Sequence, residues 1–125
     1  MAEAIDADWQ LAHIKALYET FNRKDLAALG DFYHPDVEYV NEPKGIHLKS
    51  REQLSAQSED HKERVGITLT PLRIFSIPNG VFVKVREVLT KLDGEVFFDG
   101  EVGHAYQFQD GKIRRCDILE PDAYE

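Results

Sequence analysis

Cysteine, methionine and tryptophan each occur once among the 125 residues. A lone Cys116 can form no intramolecular disulfide and excludes a cysteine-based zinc site. Arg114 and Arg115 beside it could lower a thiol pKa, although a small residue in a strand is the plainer reading. Basic residues are also scarce, with 15 Lys and Arg against 23 Asp and Glu and a net charge of −8. Phosphate binding rests on clustered Lys and Arg, so no nucleic-acid partner is expected. Long hydrophobic runs are missing, and the opening from Met1 to Asp8 is acidic. No signal peptide or membrane span is expected, and the protein reads as cytoplasmic. Gly-rich phosphate loops, Gly-x-Ser-x-Gly elbows and Walker-type lysines are absent, and the histidines lack metal-ligand spacing. What is present is a 42% hydrophobic fraction and a 10% aromatic share. That suits one domain over residues 1–125 with enough apolar side chains for a core and a lined pocket.

Apolar residues at Leu11, Ile14, Leu17, Tyr18 and Phe21 recur at three and four, which predicts an amphipathic helix. Asp25 can cap a second, short helix through Phe32, and His34-Pro35 ends it. Val37 to Asn41 reads as a strand. Ser50 and Gln53 form a capping box that opens a third helix to about Arg64, polar enough to lie at the surface. Gly66 to Phe75 is β-rich, with Pro71 marking an edge or a bulge. Pro78-Asn79-Gly80, Asp93-Gly94 and Asp110-Gly111 then separate three long β runs. Helices gathered on one side of a largely antiparallel sheet give an α+β fold.

Alternation along the strands sorts candidate residues into faces. Val81, Val83, Val85, Glu87 and Leu89 share an apolar, inward face, which places the Glu87 carboxylate among valines. Val96, Phe98, Gly100, Val102, His104, Tyr106 and Phe108 share a face in the next strand, with His104 the ionisable member. Ile113, Arg115, Asp117 and Leu119 are expected on one face of the last strand, where Arg115 can pair with Asp117. Tyr39 and Asn41 point the same way in the first strand and can hold one water or one substrate oxygen. On the outward side, Phe82, Val88 and Phe97 form a patch suited to dimerisation.

The segments Tyr18 to Leu26, Phe32 to Tyr39 and His104 to Ile113 resemble nuclear-transport-factor-2-like, or SnoaL-like, proteins. The resemblance implies a cone-shaped fold with three N-terminal helices on a strongly curved mixed or antiparallel sheet, often as a homodimer. Within the group, Tyr39-Val-Asn-Glu-Pro43 is similar to the Tyr-x-Asn-x-Pro strand of limonene-epoxide hydrolases, whose Tyr and Asn hold the attacking water. Glu87 matches the place of their proton-donating acid. Asp117 matches their water-activating acid once one residue is deleted after Ile113. Their arginine falls on Val85, which leaves Arg115 as a stand-in. His104 falls where steroid isomerases keep an oxyanion donor.

The resemblance implies acid–base catalysis of epoxide-hydrolase, isomerase or cyclase type on an apolar small molecule, with no metal or organic cofactor. Asp117, Glu87, Tyr39, Asn41, Arg115 and His104 are the catalytic candidates. Val83, Val85, Phe98, Val102, Tyr106, Tyr18 and Leu17 are the expected pocket lining. The alternative is a ligand-binding or accessory protein of the same fold without catalysis.

Overall fold

The computed structural model describes residues 2–124, with side chains described from Asp8 onward except Lys62. Met1 lies outside the described residues. Helix α1 spans Ala2–Asn22 and the one-turn α2 spans Leu26–Leu29, continued by a 3-10 turn to Phe32. Asp25 caps α2, accepting from the Ala28 N–H at 3.2 Å. Strands β1 (Tyr33–Asn41) and β2 (Ile46–Leu48) follow, then α3 (Arg51–Arg64). Four strands complete the chain: β3 (Val65–Ile77), β4 (Gly80–Lys91), β5 (Val96–Gln109) and β6 (Lys112–Leu119). The third helix therefore sits between strands, and the helices do not all precede the sheet.

The sheet order is β2-β1-β6-β5-β4-β3. Every pairing is antiparallel except β1 with β6, so the sheet is mixed. The strand-rich half is a meander of hairpins whose turns carry the residues with positive φ. Asp110 and Gly111 both adopt it, at 55° and 77°, which suits a two-residue hairpin turn. β2 lies outside the predicted elements, because three residues give too little alternation to register. β1 starts four residues earlier than predicted, and its pairing with β6 slips between Tyr33 and Glu38, around Pro35. Proline cannot donate to a ladder, so the strand continues past it only with an irregularity. Pro71 acts likewise: β3 is an edge strand and its register shifts between Pro71 and Arg73.

The free edge of β3 is partly tied to the end of α1. The Asn22 side-chain amide donates to the Leu69 carbonyl at 2.7 Å and accepts from the Leu69 N–H at 3.1 Å. A side chain thus supplies both hydrogen bonds of a strand neighbour. Ser50 caps α3 by accepting from the Gln53 N–H at 3.1 Å, while Gln53 reaches back to the Lys49 N–H at 2.7 Å.

The core lies between α1 and one face of the sheet. Ile14, Leu17 and Tyr18 of α1 pack on Val81, Val83 and Val85 of β4, with Val37, Tyr106, Ile113 and Cys116. The opposite, outer face is not bare. Phe82 is 0% exposed because its ring packs on Phe75 and on Tyr124 of the C-terminal tail, with centroids at 5.4 and 5.1 Å. The expected dimerisation patch therefore loses Phe82, which the chain covers itself. Gly103 is the glycine that permits this, since a Cβ there would stand 2.5 Å from the Glu120 carbonyl and 2.6 Å from the Phe82 ring.

Candidate active site

The inner face of the sheet carries few polar groups, and they fall into two clusters. The first is built on β5 and α1. His104 and Tyr106 sit two residues apart on β5, so both point to the same face, and Tyr18 comes down from α1. The Tyr18 hydroxyl lies 2.7 Å from His104 Nδ1 and 2.8 Å from the Tyr106 hydroxyl, which is itself 3.3 Å from the same nitrogen. All three residues are buried. Burial lowers the His104 pKa from 6.5 to about 4, so the ring is neutral at pH 7. Burial likewise holds the Tyr18 and Tyr106 phenols well above their ordinary range, and they stay protonated.

The second cluster is built on β1 and β4. Val37, Tyr39 and Asn41 alternate onto the inner face, with Val37 and Asn41 buried. Burial, above all, raises the Tyr39 phenol; Cys116 and Glu87 add to the rise, and a hydrogen bond with Asn41 opposes it. Glu87 follows Val81, Val83 and Val85 along β4 and is half-buried. Its β5 neighbour is Gly100, which offers no side chain, and the Phe98 ring folds over that glycine 2.8 Å from where a Cβ would stand. Among the described strand residues, Glu87 is the one carboxylate on the inner face. Of the expected lining, Val83, Val85, Leu17, Tyr18 and Tyr106 are buried in the core and Val102 packs against it, whereas Phe98 is 40% exposed.

Asp117 and Arg115 stand elsewhere. The pairing of β5 with β6 slips by one residue: Phe108 faces Ile113, but Gln107 faces Arg115. Arg114 is the extra residue of that bulge, and every later side chain on β6 changes sides. Ile113, Cys116 and Ile118 therefore face the core, and Arg115 and Asp117 face outward. This corrects the expectation that Ile113, Arg115 and Asp117 share a face. On the outer face the Arg115 guanidinium donates to both Asp117 carboxylate oxygens at 2.9 Å and to Glu38 at 3.3 Å. Glu38 also meets His47 at 3.2 Å, and that hydrogen bond, with Arg115 and Arg114, lowers its pKa. Arg115 therefore does not replace the arginine whose place Val85 takes.

The sequence reading also missed Cys116 as an inner residue. It lies level with Tyr106 on β5 and Tyr39 on β1, and burial pushes its thiol far above the ordinary range. A thiolate nucleophile is excluded. The signal was in the sequence only as the choice of phase after Ile113. A surface groove of about 320 Å³, lined by Trp9, Gln10 and Phe108 to Gly111, lies at the β5–β6 turn, away from both clusters.

The α+β fold, three helices with a six-stranded mixed sheet, is similar to that of nuclear-transport-factor-2-like proteins. A model of the SnoaL-like domain family matches residues 14–116, and the chain belongs to that family. Solved structures agree on the fold. An LEH-like epoxide hydrolase of M. tuberculosis is 16% identical with a TM-score of 0.78, over 90% of this chain and 83% of that one. TerC co-crystallised with polyporic acid is 21% identical with a TM-score of 0.76, over 90% and 91%. A protein of ketosteroid-isomerase-like fold from Catenulispora acidiphila, in complex with trimethylamine, is 15% identical with a TM-score of 0.75, over 86% and 83%. No curated protein matches the sequence. Among the described residues no helix is long and apolar enough to cross a membrane.

Proposed function

We propose that this protein is a cofactor-independent acid–base enzyme that moves a proton on an uncharged, largely apolar carbon acid, in the manner of an isomerase or cyclase. The observation that carries this reading is the placement of Glu87, an inner-face carboxylate beside Tyr39 and opposite Gly100, while Asp117 is tied to Arg115 on the outer face. Epoxide hydrolysis by two acids needs both carboxylates on one side, one to activate water and one to donate a proton. Proton transfer needs only one. Glu87 takes the proton from carbon onto its carboxylate and returns it at the same or a neighbouring carbon, so nothing is consumed. Tyr39 and Asn41 orient the substrate at that end. A homodimer remains the proposed assembly, with Val88 and Phe97 but not Phe82 available on the outer face.

The test is exchange of the α-hydrogens of 2-indanone in D2O, followed by NMR. Wild-type protein is expected to accelerate exchange over buffer, and Glu87→Gln is expected to lose at least about 100-fold of that acceleration. Equal exchange by both proteins would remove the mechanism. The second reading, a non-catalytic binding protein, is favoured by Val85 standing where the epoxide hydrolases have arginine. Binding of 2-indanone without any acceleration of exchange would establish it.

A further inference from the structure

The segment after β6 folds back on the sheet instead of leaving it. Leu119 ends β6, and Pro121 takes the second position of a turn that the Ala123 N–H closes on the Glu120 carbonyl at 3.2 Å. Proline pre-sets the φ that this position needs, so Glu120 to Ala123 reverses the chain locally. The turn lands on the outer face, and three contacts hold it there. The Tyr124 ring lies 5.1 Å from the Phe82 ring. The Lys84 ammonium donates to the Asp122 carboxylate at 3.1 Å. The Glu120 carbonyl passes so close to Gly103 that no side chain fits between them.

What the segment covers differs from the rest of that face. Around it, the outer charges are already paired within the sheet: Arg86 with Asp99 at 2.7 Å, Arg115 with Asp117 at 2.9 Å and Lys84 with Glu101 at 3.6 Å. Both signs are interspersed there. Such a face gives a strongly basic or acidic partner little to grip, whereas a copy of itself meets charges it can match. The apolar ground lies beneath and beside the segment, in Phe75, Phe82 and Ala105, with Val88 further along β4. Tyr124 itself stays 47% exposed, so it covers this ground without joining the core. The segment brings Glu120 and Asp122 and no basic residue, and so adds acidic charge to a face whose own charges are paired.

We infer that residues 120–124 are a strap over a self-association surface: the outer face around Phe75 and Phe82 docks a second copy of this chain, and the strap must lift first. The inference rests on the homodimer proposed above and adds what limits it. A closed strap blocks the face by its volume, and two facing straps bring acidic groups together. Opening gives up the Tyr124–Phe82 contact and one ion pair, and it leaves every strand pairing intact. Each copy has to open, so the apparent dimerisation constant is weakened by the open fraction of both.

Sedimentation velocity over a concentration series tests this, with circular dichroism confirming that each variant is folded. Tyr124→Ser removes the ring and keeps every charge, and it should dimerise at least about tenfold more tightly than wild type. Tyr124→Phe keeps the ring and should match wild type. Asp122→Asn should shift the constant the same way but by less, because the carboxylate it removes is largely exposed. Phe75→Ser added to Tyr124→Ser should abolish the gain, since it takes apolar ground from the uncovered face. In wild type, nuclear Overhauser contacts between the Tyr124 and Phe82 rings should report the closed strap directly. Equal constants in wild type and Tyr124→Ser, no dimer in Tyr124→Ser, a gain that survives Phe75→Ser, or absent ring-to-ring contacts would each overturn the inference. Wild-type dimers that Tyr124→Ser fails to strengthen would remove the strap and leave the homodimer standing, so the two readings fail separately.

Discussion

The two faces of β6 and its neighbours solve opposite problems within one sheet. The inner face holds Tyr18, Tyr39, His104, Tyr106 and Cys116, and its burial-shifted groups are all in their neutral forms at pH 7. The outer face a few ångströms away holds Glu38, Arg114, Arg115, Asp117 and His47 in a partly solvated ion-pair network. A single bulge residue, Arg114, decides which set points where. The comparison teaches that a one-residue slip can convert a candidate catalytic acid into a surface ion pair while leaving the fold intact. It also separates energetic roles: burial without charge stabilises the inner side, and exposed pairing contributes little on the outer side.

The largest stability effect is expected where the outer face is itself buried. Phe82→Ala removes a ring enclosed by Phe75 and Tyr124 and should cost about 3–5 kcal/mol in urea denaturation. A loss under 1 kcal/mol would mean that the tail does not cover the sheet in solution.

Next comes the inner imidazole. The folded His104 pKa of about 4 lies below the ordinary 6.5, so the unfolded chain binds the extra proton between those values. Its contribution is therefore complete above about pH 6.5 and is lost as pH falls toward 4, by up to about 3 kcal/mol. Urea midpoints at pH 7 and pH 4.5 should show a fall in wild type that is smaller in His104→Asn. Parallel falls in both would place the pH sensitivity elsewhere.

Gly103→Ala tests the same cover from the backbone side. Its Cβ has no room between the Glu120 carbonyl and the Phe82 ring, so a cost of about 1–3 kcal/mol is expected. The smallest effect belongs to the outer ion pairs. Arg115→Met should change stability by less than about 1 kcal/mol, and less still at high salt. A larger change would make the network a structural element in its own right.

Much of this arrangement was legible in the residues. The spacing of Ile14, Leu17 and Tyr18, the caps at Asp25 and Ser50, and the Asp110-Gly111 turn are local signals, and the elements follow them. The inner row Val81, Val83, Val85 and Glu87 was readable because alternation on an apolar face is unambiguous. The phase of β6 was not, since Arg114, Arg115, Cys116 and Asp117 present no clearly apolar face and a bulge depends on the partner strand. The pairing of Glu38 with Arg115 was equally hidden, because it needs the parallel contact of β1 with β6 across most of the chain. Pro71 announced an edge or a bulge, and β3 has both.

The central claim is that the inner carboxylate does the chemistry and the outer one does not. It is tested most directly by measuring 2-indanone α-hydrogen exchange with Glu87→Gln and Asp117→Asn side by side. The account predicts a loss of at least about 100-fold in Glu87→Gln and a change within about twofold in Asp117→Asn. Loss of exchange in Asp117→Asn with Glu87→Gln unimpaired would contradict it.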